Sequence, residues 1–423
     1  LHTLAQLKAG KLIGIKRLQL VESLTEFPME ILTLAESLEI LDLSNNQLTS
    51  LPKEIAQLRH LKIIFASNNC FTELPEALGD CPKLEMVGFK SNQITQVSAA
   101  ALPMPLRWLI LTDNQISYLP EALGDRPRLQ KLALAGNQLK RLPKSTDQLL
   151  NLELLRISAN QLLAFPIQVL NLPKLAWFAF AGNPFCSTSA ETKPSTIQVI
   201  DASHYELQEV LGRGASGVIY KAKWVDAANQ DNLWPNEIAV KVFKGEVTSD
   251  GYPQDELDAC LRVGEHHNLV KPIARVVDAE QLALVMELIP PHFKNLGLPP
   301  NFDTCTRDTF EAGFELPINT IKTIVEQMQR VFEHLHNNQV CHGDLYAHNT
   351  LFDAQGNIIF GDFGAASTYQ GLLPMIQETI KEMEERAFIH FIDDLLSICR
   401  IEDKENHEYQ ALKALTFEKV EMC

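Results

Sequence analysis

Residues 38–52 read LEILDLSNNQLTSLP. Leu41 and Leu43 alternate as they would on a short strand with one buried face. Asn46 follows, a residue whose side chain bonds backbone groups in a turn, then Leu48 and the pair Leu51-Pro52. The frame recurs as Val87/Phe89/Asn92/Ile94 and as Leu132/Leu134/Asn137/Leu139, with Leu-Pro again at 74–75, 119–120 and 142–143. The asparagines at 46, 69, 92, 114, 137, 160 and 183 are spaced 23, 23, 22, 23, 23 and 23 residues apart. Upstream, Leu18 and Leu20 followed by Phe27-Pro28 lack the Asn and read as a degenerate capping unit.

A unit this short cannot bury its own apolar face, so neighbours must stack. The frame resembles the leucine-rich repeat, which implies a curved α/β solenoid of seven to eight units over residues 1–185. The strand positions between the inward leucines then line the concave side. They include Phe65, Met86, Trp108, Ile110, Arg156 and Trp177, and large apolar residues there are expected to dock a protein partner or to pack on the rest of the chain.

Bulk properties narrow the class. The 423 residues are 46% hydrophobic and 21% charged, enough apolar material for two cores. A net charge of −16 disfavours nucleic acid as main partner. No apolar run reaches membrane-spanning length, and the N-terminal stretch has no signal-peptide core. The eight cysteines show no CxxC spacing, which points to reduced thiols in a cytoplasmic protein rather than zinc or a disulfide framework.

The repeat grammar ends after Phe185. Residues 186–200 open with CSTSAETKPST, a linker composition, and a second domain is expected over 201–423. Its first motif is Leu211-Gly-Arg-Gly-Ala-Ser-Gly-Val218, in which Gly212, Gly214 and Gly217 would let backbone N–H groups approach polyphosphate. β-type sequence continues after it, so a glycine-rich hairpin is expected rather than a strand-to-helix turn. Ile238-Ala239-Val-Lys241 places a cation in an apolar strand, and Glu256, fifteen residues on, can hold it as an ion pair. His342-Gly343-Asp344 is followed by Asn349 and by Asp362-Phe-Gly364. Two carboxylates, an amide, a lysine and a glycine loop supply the charge neutralisation and positioning that phosphoryl transfer needs.

This ordered set resembles a protein-kinase catalytic domain, an α+β two-lobed fold, here with a shortened C-lobe. Fused behind the repeats, it is similar to bacterial-type leucine-rich-repeat protein kinases. The resemblance implies ATP and Mg²⁺ as cofactors, with Asp344 as the group that orients and deprotonates the acceptor hydroxyl. It implies Asn349 and Asp362 as metal ligands, and Lys241 with Glu256 on the phosphates. Leu211, Gly212, Gly214, Gly217, Val218, Ala239, Lys241, Met286, Glu287 and Leu288 would surround the nucleotide, Met286 as gatekeeper. Signalling by serine/threonine phosphorylation is the function implied, with the repeats recruiting or restraining a protein.

Two letters depart from the family pattern. Gly343 replaces the Arg that pairs with a phosphorylated activation loop, so phosphate on Ser367, Thr368 or Tyr369 would lack its usual partner. Tyr346 replaces a Lys, leaving its work to Lys241, the metal or a residue such as His348. No Ala-Pro-Glu follows Gly364, and the chain turns helical by about Pro374, where Glu384 and Glu385 are expected mainly on a solvated face. His-Gly-Asp and the short C-lobe leave a small-molecule phosphotransferase of the aminoglycoside or choline type as an alternative. A pseudokinase scaffold is a further one.

Overall fold

The structure is a computed structural model that describes residues 1–189, 197–214, 216–225, 234–245, 247–248, 250–277 and 282–418. Contacts divide it into two units, Leu1–Leu175 with Asn183–Phe185, and Ala176–Gly182 with Cys186–Cys423.

The first unit opens with α1 (Leu4–Lys8), whose first turn is closed by a capping box between Thr3 and Gln6. Seven three-residue strands follow: β1 (Arg17–Gln19), β2 (Ile40–Asp42), β3 (Ile63–Phe65), β4 (Met86–Gly88), β5 (Trp108–Ile110), β6 (Lys131–Ala133) and β7 (Leu154–Arg156). All pair in parallel with one register, so Leu18, Leu41, Ile64, Val87, Leu109, Leu132 and Leu155 align across the sheet. These seven side chains are fully buried. The degenerate Leu18 unit is thus a structural repeat.

The asparagines do more than close their own turns. Asn114 Nδ2 donates to Leu111 O at 3.0 Å and to Phe89 O, one repeat back, at 3.0 Å. Its Oδ1 accepts from Ile94 N, also one repeat back, at 3.0 Å. Asn46, Asn69, Asn137 and Asn160 repeat the arrangement. Each side chain therefore staples two successive turns, which satisfies backbone groups that stacking removes from water. Each Leu-Pro fixes an extended backbone just before a short 3₁₀ turn, as at Pro52, Pro120 and Pro143.

The strand positions expected on the concave side differ in exposure. Phe65, Trp108 and Ile110 are half-buried, whereas Met86 and Arg156 are buried. Met86 stands in register between Ile63 and Trp108. Trp177 is also buried, 1% exposed, and belongs to the second unit.

The second unit begins with β8 (Trp177–Ala179), the strand of the last sequence repeat, and β9 (Gln198–Ile200). Next come β10 (Tyr205–Arg213), β11 (Gly217–Trp224), β12 (Glu237–Phe243), α2 (Pro253–Val263), β13 (Pro272–Val277) and β14 (Leu282–Glu287). The six-stranded sheet runs β10-β11-β12-β14-β13-β9, antiparallel except for the β13–β9 pair. One face is packed by Ala222, Ile238, Val240, Ala274 and Val285; on the other, Leu257 of α2 meets Phe243 and Leu284.

A second, mostly helical layer follows: β15 (Lys294–Asn295), α3 (Ile318–Asn337), β16 (Val340–Cys341), β17 (Thr350–Phe352), β18 (Ile358–Phe360), β19 (Ser367–Thr368), α4 (Pro374–Ser397) and α5 (His407–Glu418). Helix α3 buries Ile321, Ile324, Val325, Met328, Val331, Phe332 and Leu335, the i, i+3, i+4 stripe of an amphipathic helix. Only about a dozen residues separate Asp362 from α4, so a single β19 strand, paired with β16, spans the gap.

Candidate functional site

The glycine run forms the tight end of the β10–β11 hairpin, where Gly212 faces Ile219 and Gly214 N donates to Gly217 O at 2.9 Å. Its glycines serve different ends. A Cβ on Gly217 would sit 2.4 Å from Val242 O, so this glycine is needed for β11 to lie against β12. A Cβ on Gly212 or Gly214 would meet nothing within 4 Å. The open side of the hairpin tip is where backbone N–H groups can approach a phosphate.

Below the hairpin, β12 carries Lys241 inward and α2 carries Glu256 to it. The two are buried and form a direct ion pair. Lys241 Nζ also lies 3.9 Å from Asp362 Oδ1. Burial alone would lower the Lys241 pKa, but the Glu256 and Asp362 carboxylates outweigh it and hold it above its ordinary value. The ammonium is thus fixed as a cation with its direction set by two anions. Of the three carboxylates here Glu256 alone reaches Lys241; Asp255 is half-buried, and Asp258 is exposed and accepts from Gln254 Nε2.

A cavity of about 140 Å³ opens beside this pair. Gly214, Gly217, Lys241, Glu256, Met286 and Asp362 line it, together with Ile219, Phe243, Leu257, Cys260, Val270 and Pro272. Cys260 has its thiol pushed up to about 12, mainly by burial and then by Glu256. Val218 and Ala239 are buried in the sheet, Ala239 paired with Met286. Leu211 is exposed on β10, Glu287 N bonds Lys271 O at 3.0 Å, and Leu288 is half-buried just after β14.

Of the residues expected beyond the strands, Asp362 lines this cavity, whereas Asp344 and Asn349 lie outside its lining. Asn349 Nδ2 donates to Asp344 Oδ2 at 2.7 Å and to Asp344 O at 3.1 Å. This fixes the Asp344 carboxylate and engages the Asn349 amide nitrogen, so that its carbonyl oxygen is the group turned elsewhere. Asp362 has a left-handed backbone, φ 59°, and Oδ1 accepts from Gly364 N at 3.3 Å. The Asp362 carboxylate and Asn349 amide oxygen are hard donors of the kind a divalent cation on a polyphosphate takes. Among the described residues no cluster of three or more His, Cys, Asp or Glu forms a metal site.

Three anchors of this loop had no clear sequence signal. Glu384 of α4, expected mainly on a solvated face, is 2% exposed. Its Oε1 accepts from His342 N at 2.7 Å and Gly343 N at 3.0 Å, and His336 Nε2 donates to Oε2 at 2.9 Å. The short connection from Asp362 brings α4 directly beneath the loop, and the two amides draw the carboxylate inward. Asp308 accepts from Ala347 N and, at 2.6 Å, from His348 Nδ1. The third anchor is Trp177, which stacks on Tyr346 and so packs on the rest of the chain, one of the two outcomes its repeat position implied. The Glu384 segment was at least marked by helical periodicity; Asp308 sits in a connection with no motif.

Comparison with known proteins agrees with both halves. A leucine-rich-repeat model matches residues 36–94 and a protein kinase domain model matches residues 205–380. Cyclin-dependent kinase 11.1 of Caenorhabditis elegans is 26% identical over 42% of this chain and 23% of its own length. The probable serine/threonine-protein kinase glkA of Dictyostelium discoideum is 26% identical over 38% of this chain and 30% of its own. The chain therefore spans less than a third of these relatives' length. Among solved structures, a leucine-rich-repeat protein of Leptospira interrogans matches 43% of this chain and 65% of its own, at 23% identity and a TM-score of 0.29. The second unit carries a protein kinase domain. The chain as a whole joins that domain to a leucine-rich-repeat solenoid, and no described helix is long and apolar enough to cross a membrane.

Proposed function

We propose that the protein transfers the γ-phosphate of ATP, as its Mg²⁺ complex, to a serine or threonine hydroxyl of a protein acceptor. The observation that carries this reading is the buried Lys241–Glu256 pair with Asp362 beside it, a fixed cation facing a site of hard oxygen donors. Gly212 and Gly214 would cover the phosphates and Lys241 would orient them. The Mg²⁺, held by Asn349 and Asp362, would supply charge neutralisation at the phosphate oxygens.

Asp344 would accept the acceptor's hydroxyl proton as the oxygen bonds to the γ-phosphorus and the bond to the ADP oxygen breaks. Asn349 fixes the carboxylate for this step, and its own hold on Asp344 costs no reorganisation during transfer. A cytoplasmic location, where ATP is abundant, and a protein partner on the solenoid's strand face, which includes Phe65 and Ile110, complete the reading.

ATP labelled on its γ-phosphate, with Mg²⁺ and a basic generic acceptor protein, tests it. Asp344→Ala is expected to lower transfer to protein about a thousandfold. Undiminished labelling in that variant refutes the assignment. Turnover that requires an added aminoglycoside or amino alcohol instead of protein would move the acceptor to a small molecule.

A further inference from the structure

The two departures of the catalytic loop, Gly343 and Tyr346, share one neighbour, the segment Ala176–Gly182 of the second unit. The Trp177 indole stacks on the Tyr346 ring with centroids 5.0 Å apart and an interplanar angle of 2°. It also meets the His390 ring of α4 at 5.3 Å and 14°. Trp177 Nε1 donates to Leu345 O at 3.0 Å. A lysine at 346 would remove one ring of this stack.

The next residue explains the glycine. A Cβ on Gly343 would lie 2.7 Å from Phe178 O and 2.9 Å from Ala365 O, on a backbone with φ +73°. An arginine cannot occupy this position while Phe178 stays where it is. Phe178 O also accepts from Cys341 Sγ at 3.6 Å. Two residues further, Phe180 N and Ala181 N both donate to Ser367 Oγ, at 2.9 and 3.0 Å. Ser367 is fully buried, as is Tyr369 beside it. One short segment thus grips both the catalytic loop and the stretch between Asp362 and α4.

We infer that Ala176–Gly182 is the element that positions the catalytic loop and the activation segment, in place of a phosphorylated residue paired with an arginine. Trp177 is its positioning residue on the loop, and Ser367 is its anchor on the segment. The Ser367 hydroxyl, one of the three that phosphorylation would modify, is instead consumed as a hydrogen-bond acceptor. The domain is therefore competent without phosphate on Ser367 or Tyr369. This inference rests on the kinase reading above for its activity arm, and its structural arm stands apart from it.

The test uses the full chain after phosphatase treatment, with Trp177→Ala, Trp177→Phe and Ser367→Ala as variants. Initial rates on a basic generic acceptor protein give kcat and the KM for ATP, and hydrogen exchange is followed over residues 341–349 and 366–370. Dephosphorylated wild type should keep its full kcat. Trp177→Ala should lose about ten- to a hundredfold in kcat with the KM for ATP changed less than about twofold. Trp177→Phe, which keeps a ring on Tyr346, should recover part of that loss. Both peptides should exchange faster in Trp177→Ala and in Ser367→Ala.

Loss of activity on dephosphorylation overturns the inference. So does wild-type kcat together with wild-type exchange in Trp177→Ala; if that variant does not fold, Ser367→Ala with unchanged exchange does the same. Wild type that transfers no phosphate at all would refute the kinase reading only, and the exchange data would then decide the positioning role alone.

Discussion

The asparagine ladder and the catalytic loop solve the same problem in opposite ways. Both must satisfy polar groups withdrawn from water. In the ladder, Asn114 reaches groups 3, 20 and 25 residues away, and the next asparagine does the same job one repeat on. In the loop, His342 and Gly343 depend on Glu384, 42 and 41 residues away, Ala347 on Asp308, 39 away, and Leu345 on Trp177, 168 away. Redundant local staples make a solenoid tolerant; single distant anchors make a site exact in place but vulnerable.

That contrast can be broken most directly at Glu384. Glu384→Ala leaves two buried amides and His336 without their acceptor, and should cost about 3 kcal/mol. Denaturant unfolding of the second unit measures it, and a loss below about 1 kcal/mol would show that the loop has other support. Asn114→Ala should cost about 2 kcal/mol in the first unit, read from its thermal transition. Asn92, whose staple is only half-buried, should cost less; equal losses would argue that burial is not what gives the ladder its strength.

The smallest effect concerns His390, the second ring stacked on Trp177. Burial, and then Arg307, lower its pKa to about 4, so it is neutral in the fold. The unfolded chain binds the proton more readily, so stability from this group is complete above about 6.5 and drains away as pH falls towards 4. Acidification from pH 7 to 5 should cost about 1–2 kcal/mol that His390→Phe does not lose. A variant as acid-sensitive as wild type would place the titration elsewhere.

What could be read from the sequence follows the same division. Seven asparagines spaced 22 or 23 residues apart announce the solenoid because each repeat restates the rule. Lys241, Asp344, Asn349 and Asp362 were legible as a set because the chemistry of phosphate restricts both residue type and order. Glu256 could be picked among three carboxylates only by spacing, and its ion pair with Lys241 is what singles it out. Glu384, Asp308 and Trp177 carried no such mark, since each acts on a backbone group or ring far away in the chain. Trp177 took the second of the two courses expected of its repeat position: it packs on the rest of the chain, and its strand clusters with the second unit.

Cys260 has a pharmacological consequence. Cys260 lines the cavity beside Lys241, a position that invites a ligand carrying an electrophile. Burial, and then Glu256, push the thiol up to about 12, so at neutral pH the sulfur is a thiol and a poor nucleophile. An inhibitor that fills this cavity would therefore have to gain its residence time from shape and from the Lys241 ammonium, because the sulfur next to it is chemically quiet.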